Sequence, residues 1–360
     1  MTAPILIMAG GTGGHVFPAL AVARELRGRD EVVVWLGTQH GIEADIVPKE
    51  GFPLERTRVS GLRGKGFLSW LLAPLKLGVA VFDALAVLIR RRPKVVLGMG
   101  GFASGPGGFA AWLLRKPLVI HEQNSVAGLT NRLLAGFARE VLEAFPGSFS
   151  GSVETRLVGN PVRPDILSIP EPRQRFQNRQ GRLRVLILGG SQGALILNQT
   201  VPRALALLPD ERRPDVWHQA GAASIETARD IYAENALAGR LDTFIDDVAE
   251  AYAWADLVIC RAGALTISEL AAAGLGAILV PYPSAVDDHQ THNADFLVAA
   301  GAAVLLPQSS LTPESLAQEI DRCIDNRHGL EERATRARSV ARPHATRDVV
   351  DICLAMVSDA

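Results

Sequence analysis

The chain has 360 residues, with 37 Lys plus Arg against 38 Asp plus Glu, a formal net charge of −1 and 48% hydrophobic residues. That is enough apolar material for two ordinary domains with separate cores, and the balanced charge carries no whole-chain signature of nucleic-acid binding. Cys260, Cys323 and Cys353 lack C-x-x-C spacing, which argues against a disulfide framework or a structural zinc site and fits a reducing cytosol. The first apolar stretch has no basic run before it and ends at Gly10-Gly11, so export is not expected.

In chain order, apolar strand candidates at 4–9, 32–36, 95–98 and 117–120 alternate with helical patterns, the rhythm of a doubly wound parallel sheet. The second half repeats it, with strands expected at 184–188, 215–219, 256–260 and 277–281 and helices around 195–208, 264–274 and 291–300. Gly10 and Gly189 hold corresponding places in the two halves, too far apart for a solenoid repeat and suited to tandem domains. Two prolines and a glycine interrupt the periodicity at Gly159-Asn160-Pro161-Val162-Arg163-Pro164, which places a boundary at about 162. The polar run from Pro170 to Arg182 reads as an exposed linker, and the end of the chain from about Arg342 as a terminal helix.

Four glycine-bearing turns follow apolar strands: Gly10-Gly11-Thr12-Gly13-Gly14-His15, Gly98 to Gly108, Gly189-Gly190-Ser191-Gln192-Gly193-Ala194, and Arg261 to Glu269. All should open on the carboxyl edges of their sheets, where backbone N–H groups and helix starts favour anions. A dinucleotide fingerprint fails in detail. The third glycine expected after Gly11 and Gly13 is Val16, and the second strand ends in Trp35-Leu36-Gly37-Thr38 where a ribose-binding acid belongs. Asp246-Asp247 and Asp287-Asp288 are the adjacent aspartate pairs; neither forms Asp-x-Asp, so they read as loop or capping residues and no metal or cofactor is expected.

Glu269 lies in the small, apolar stretch Ala262 to Ala273, where a lone buried carboxylate is costly, so it needs a partner. The alternative is a first-turn acid interacting with the helix dipole. His15 follows a glycine turn and carries an imidazole able to act as general base or to bind an anion; His121, Glu122 and Asn124 compete for the base role.

The segment Phe67 to Ile89 is apolar but interrupted by Pro74, Lys76 and Asp83, so it is not expected to span a membrane. Ser69, Lys76, Asp83 and Arg90 recur every seven residues, giving a helix one narrow polar stripe. Arg56, Arg58, Arg63, Lys65, Lys76, Arg90, Arg91, Arg92 and Lys94 against Glu55 and Asp83 form a basic collar suited to anionic lipid headgroups. A core helix with solvated basic ends is the alternative.

These turns, together with His121-Glu122-Gln123-Asn124, Gly159-Asn160-Pro161-Val162-Arg163 and Asp288-His289-Gln290, occur in an order and spacing that resembles the MurG family of bacterial glycosyltransferases across nearly the whole chain. The resemblance implies a GT-B fold of two Rossmann-like, doubly wound α/β domains facing a central cleft. Residues 1–162 with the returning helix 343–360 would associate with acceptor and membrane, and residues 163–342 would bind the UDP-sugar. It implies inverting transfer of N-acetylglucosamine from UDP-N-acetylglucosamine to the C4 hydroxyl of lipid I, without metal or cofactor.

By the same resemblance His15 is catalytic and Thr12, Gly13, Gly14 and Asn124 contact substrate. Arg163 and Ser191 line the nucleotide site, Ile245 presents main-chain groups to uracil, and Glu269 accepts from both ribose hydroxyls. Ala264, Leu265, Thr266, Ile267, Ser268 and Gln290 contact the donor. The implied partners are UDP-N-acetylglucosamine, lipid I, an anionic membrane surface on the cytoplasmic face of the inner membrane, and a cell-wall synthesis complex, with no nucleic acid. A nonhydrolysing UDP-sugar epimerase and a non-catalytic precursor-binding scaffold are the alternatives; the epimerase has no use for a lipid-facing patch, and the scaffold retains patch and glycine loops but would release no UDP.

Overall fold

A computed structural model describes residues 3–58, 73–177, 179–190 and 193–358. Two compact units divide the chain, Met1–Val162 with Arg342–Ala360, and Arg163–Ala341.

In the first unit, β1 (Ile5–Met8), β2 (Val33–Thr38), β3 (Leu54–Thr57), β4 (Val95–Gly98), β5 (Leu118–Glu122), β6 (Glu140–Glu143) and β7 (Arg156–Leu157) form a parallel sheet ordered β3-β2-β1-β4-β5-β6-β7. β1, β2, β4 and β5 are buried along their whole length, because crossover helices cover both faces of a parallel sheet. The strand order reverses between β1 and β4, where Ile5 pairs with Val33 on one side and Val95 on the other. Strands β3, β6 and β7 have no sequence-level counterpart: they are short and carry Glu55, Arg56, Glu140 and Arg156 towards the edges.

The helix Ala345–Ser358 belongs to this unit and packs on the helix Gly13–Gly28. Val349, Val350, Ile352 and Cys353 join Ile5, Ile7, Val16 and Leu97 in one core cluster. Side chains of this apolar kind contribute about 1.5–3 kcal/mol each when fully buried, so the chain end helps cover one face of the sheet.

The second unit repeats the plan with β8 (Arg184–Leu188), β9 (Asp215–Gln219), β10 (Arg240–Asp242), β11 (Leu257–Cys260), β12 (Gly276–Leu279) and β13 (Ala303–Leu305), all parallel in the order β10-β9-β8-β11-β12-β13. Its order reverses between β8 and β11. Each sheet thus has a crevice at the carboxyl ends of the two strands beside its reversal, where ligands bind in open α/β sheets.

The Pro170–Arg182 run is not the exposed linker its polarity suggests. It contains the helix Pro172–Gln177, and Arg175 is only 9% exposed. Arg175 donates to Tyr252 O and Gly274 O, and Arg179 donates to Ala253 O and Trp254 O. The carbonyls that end the helices Val248–Trp254 and Ala264–Ala273 need donors, and these guanidiniums supply them.

Candidate active site

At the β8/β11 reversal the loop after β8 folds against the loop after β9. A Cβ on Gly193, whose φ is 79°, would lie 2.2 Å from Ala220 O. The Gly193 N–H donates to Gly190 O at 2.9 Å and is consumed within the turn. Among the described residues of this turn, donors for an anion are offered by the first turn of the helix Leu195–Ala206, whose N–H groups have no intrahelical acceptor. Ser191 lies outside the described residues.

A cavity of about 490 Å³ opens beside this turn, lined by Gly189, Gly193, Ala194, Leu195, Ile196, Gln199, Arg261, Tyr282, Gln290 and Gln308. Gln290 accepts from the Tyr282 N–H at 2.9 Å, which fixes the orientation of its amide. Arg261 donates through Nη1 to Val280 O at 3.1 Å and Pro281 O at 3.0 Å, and through Nη2 to Gln308 Oε1 at 2.8 Å. This places a permanent cation on the wall of the cavity. Sequence reasoning did not single out Arg261; the available signal was a cation immediately after a buried strand at the carboxyl edge.

Glu269 stands in the second turn of the helix Ala264–Ala273, whose first turn holds no acid, so the dipole alternative does not apply. It is 7% exposed and has two partners: Tyr252 Oη donates to Oε2 at 3.1 Å, and Arg163 Nη2 to Oε1 at 3.4 Å. Burial raises its pKa above the usual carboxylate value, opposed by Arg163 and the Tyr252 hydroxyl. Burial and the adjacent Glu269 also hold the Tyr252 hydroxyl well above its ordinary pKa, and burial pushes the Cys260 thiol up to about 12.

Ala264, Leu265 and Thr266 form the first turn of that helix, directly after the Gly263 cap. Ile267 is fully buried and its N–H donates to Gly263 O at 2.9 Å. Ser268 Oγ donates to Ala264 O at 3.0 Å. Ile245 lies 5% exposed in the loop after β10, on the same carboxyl edge, and Asp247 caps the next helix by accepting from the Glu250 N–H at 2.8 Å.

In the first unit the β1 and β4 loops interlock. A Cβ on Gly101, at φ 84°, would sit 2.2 Å from Gly10 O. Behind the β1 turn is Glu43, fully buried and not anticipated from sequence. Its Oε2 accepts from the Gly11 N–H at 2.9 Å, and its Oε1 from Thr38 N at 2.9 Å and Thr38 Oγ1 at 2.7 Å. A Cβ on Gly10 or Gly41 would come within 2.4 and 2.0 Å of the same carboxylate. The expectation that the bare N–H groups of this turn cradle an anion is therefore corrected for Gly11, whose donor and neighbouring space are given to an internal carboxylate.

Thr12 is the exposed N-cap of the helix Gly13–Gly28, and Gly13 lies beneath the Phe17 ring, 2.9 Å from where its Cβ would stand. His15, partly buried, meets Gln123 Oε1 through Nδ1 at 2.8 Å. His121 is fully buried with both ring nitrogens engaged, by Gly159 O at 2.9 Å and Gln123 Nε2 at 3.0 Å, and burial lowers its pKa to about 4. It cannot compete for the base role. Glu122 accepts from Asn124 N at 2.9 Å, Gly128 N at 3.1 Å and Asn131 Nδ2 at 2.8 Å, so it organises the loop that carries Asn124. Among the described residues no group of three or more His, Cys, Asp or Glu could hold a metal ion.

The helix Ala73–Arg91 buries Ala80, Ala84, Val87 and Leu88 and exposes Leu75, Leu77, Phe82 and Ile89. Residues 75, 82 and 89 recur every seventh position, so its outward stripe is apolar. Asp83, expected in a polar stripe, instead pairs with Arg58. Ser69, Arg63 and Lys65 lie outside the described residues. The basic collar is also reduced: Arg90 and Arg91 pair with Glu55 and Lys94 with Glu31, leaving Arg56, Lys76 and Arg92 without a carboxylate partner among the described residues. The helix Ser104–Leu113 packs alongside and, with the loop at Phe137, adds exposed Phe109, Trp112 and Phe137, whose rings touch.

Residues 5–143 match the glycosyltransferase family 28 N-terminal domain, and residues 184–349 match the family 28 C-terminal domain. Proteins of Nitrosococcus oceani and Marinobacter nauticus, each named UDP-N-acetylglucosamine–N-acetylmuramyl-(pentapeptide) pyrophosphoryl-undecaprenol N-acetylglucosamine transferase, are both 56% identical to the chain. The alignments cover 99% of the chain and 100% of the first protein, and 97% and 96% for the second. The crystal structure of Acinetobacter baumannii MurG superposes with a TM-score of 0.86 at 42% identity, covering 98% of this chain and 100% of that one. With identity of this order along essentially its whole length, the chain belongs to the MurG family of glycosyltransferases.

Proposed function

We propose that the protein transfers N-acetylglucosamine from UDP-N-acetylglucosamine to the C4 hydroxyl of the N-acetylmuramoyl residue of lipid I, forming lipid II for peptidoglycan synthesis. The observation that carries this reading is full-length identity to transferases of that name. In support, a buried carboxylate stands with an arginine and a tyrosine in the unit that also holds the glycine-turn cavity.

In the second unit Glu269 accepts from the ribose hydroxyls, a task for which two carboxylate oxygens suit a vicinal diol. Arg163 neutralises the carboxylate. Ile245 main chain meets uracil, and Ala264, Leu265, Thr266 and Gln290 contact the sugar or its phosphates. As the glycosidic bond breaks, negative charge grows on UDP; the helix start after Ala194 and the Arg261 guanidinium are positioned to stabilise it. In the first unit His15 takes the proton of the attacking C4 hydroxyl, with Thr12, Gly13, Gly14 and Asn124 around the acceptor. A single displacement of this kind inverts the anomeric centre.

The enzyme works as a peripheral protein at the cytoplasmic face of the inner membrane. No helix among the described residues is long and apolar enough to cross a bilayer. The exposed stripe Leu75, Phe82 and Ile89, continued by Phe109, Trp112 and Phe137, supports shallow insertion, and the nearby cations support attraction to anionic headgroups. Transfer of radiolabelled N-acetylglucosamine from the UDP-sugar onto lipid I tests the activity. Epimer formation without acceptor, or precursor binding without UDP release, would instead identify an epimerase or a scaffold.

A further inference from the structure

The surroundings of His15 have a direction that can be read from groups whose hydrogen-bonding role is unambiguous. Gly159 O is a main-chain carbonyl and only accepts, so His121 Nε2, 2.9 Å away, carries a proton. Burial keeps His121 neutral, so its Nδ1 is unprotonated and accepts. The group facing that Nδ1 at 3.0 Å is Gln123 Nε2, which also donates to the carbonyl of His121 at 3.2 Å. Two independent acceptors therefore fix the Gln123 amide with its nitrogen towards His121. Its oxygen necessarily points the other way, to His15 Nδ1 at 2.8 Å. An amide oxygen cannot donate, so the proton of this contact belongs to His15.

We propose that Gln123, anchored by His121, is a positioning residue that holds His15 in the Nδ1–H tautomer and so leaves Nε2 as the unprotonated nitrogen facing the acceptor hydroxyl. The proposal rests on the reading of His15 as general base. The proton of the hydroxyl moves to Nε2 as the C4 oxygen bonds to the sugar and the bond to UDP breaks; Nδ1–H remains on Gln123 throughout.

Two further features hold the relay in place. A Cβ on Gly100, at φ 86°, would lie 2.6 Å from His15 Nδ1 and 3.2 Å from Gln123 Oε1, so the glycine lets the β4 loop close over this contact. Asn160 Nδ2 donates to Gln123 O at 3.1 Å, tying the Gln123 backbone to the segment that also supplies Gly159 O. Every donor in the chain from Gly159 to His15 thus has an acceptor. Reversing the His15 tautomer would set two acceptors face to face, an arrangement a desolvated site disfavours.

The test is ¹⁵N NMR of the full-length enzyme labelled at histidine nitrogens, with the His15 signals assigned from a His15→Gln spectrum. At a pH where His15 is neutral, the wild type is expected to show a protonated Nδ1 and an unprotonated Nε2. Gln123→Leu removes the acceptor and is expected to move His15 to Nε2–H and to lower kcat at least tenfold at saturating substrates, with the KM for UDP-N-acetylglucosamine unchanged. Gln123→Glu in its ionised form presents only acceptor oxygens to Nδ1 and is expected to retain the wild-type tautomer, which guards against a Leu variant that fails to fold.

A wild-type spectrum dominated by Nε2–H overturns the proposal by itself. So does a Gln123→Leu enzyme that loses kcat while His15 keeps Nδ1–H. A Leu variant whose tautomer moves while kcat stays intact would leave the positioning role standing and remove His15 from the chemistry.

Discussion

Replacing Glu269 by Gln should weaken UDP binding through the ribose and through nothing else. In the free protein the carboxylate is 7% exposed and already accepts from Tyr252 and Arg163. The two ribose hydroxyls add two more hydrogen bonds to a charged group, each worth about 1.5–3 kcal/mol. Glutamine keeps one acceptor oxygen and turns the other into a donor, so at least one of these bonds is lost, a rise of about ten- to 150-fold in the Kd for UDP.

Titration calorimetry with UDP and 2′-deoxy-UDP reads the effect. The wild type should favour UDP strongly, and Glu269→Gln should narrow that preference. Folding stability should not follow: the variant removes a buried carboxylate whose desolvation is unfavourable, so thermal unfolding of the ligand-free protein is expected near or above the wild-type temperature. A variant that weakens UDP and 2′-deoxy-UDP by the same factor would refute the ribose assignment.

The pH dependence has two opposite signs. Because burial raises the pKa of Glu269, the folded chain holds this proton more tightly than the unfolded chain, so its destabilising contribution is present above the folded pKa and fades as pH falls through it. UDP binding needs the ionised form, so affinity should drop over that same window, and Tyr252→Phe, which removes a donor to the carboxylate, should move the drop to higher pH in calorimetric titrations; an unmoved midpoint would reject the coupling. Glu43→Gln cannot accept from both the Gly11 and Thr38 N–H groups, so it should cost about 1–3 kcal/mol in denaturant unfolding and raise the acceptor KM while sparing that of the donor. Equal effects on both substrates would count against a local role in the β1 turn. Phe82→Ser should reduce partitioning onto anionic vesicles about ten- to 150-fold, from the loss of about 1.5–3 kcal/mol of burial, while turnover of a short-chain, water-soluble acceptor is retained; unchanged flotation would favour a purely structural helix.

Much of the fold is legible in the sequence because it depends on neighbours along the chain. The runs that became β1, β4, β8 and β11 are continuously apolar since both sheet faces are covered, and their glycine turns mark the carboxyl edges. The strands β3, β6, β7, β10 and β13 were invisible because they are only two to four residues long, too short for periodicity to register, and all but β13 are partly polar. The Pro170–Arg182 run misled because a buried arginine looks like a solvated one until the carbonyls it satisfies are known.

The same limit applies to the site. Glycines, His15 and Glu269 announce themselves by residue type and local spacing, whereas Gln290 was reached only through the family resemblance. What each can do is decided by partners that only folding supplies: Glu43 lies 32 residues from Gly11, and Gln123 lies 108 residues from His15. One-dimensional patterning records which stretches are buried, since burial acts on whole segments. The direction of a hydrogen bond, the neutralisation of a carboxylate and the tautomer of an imidazole depend on single atoms brought within about 3 Å by the packing of distant elements, and the tertiary structure alone settles them.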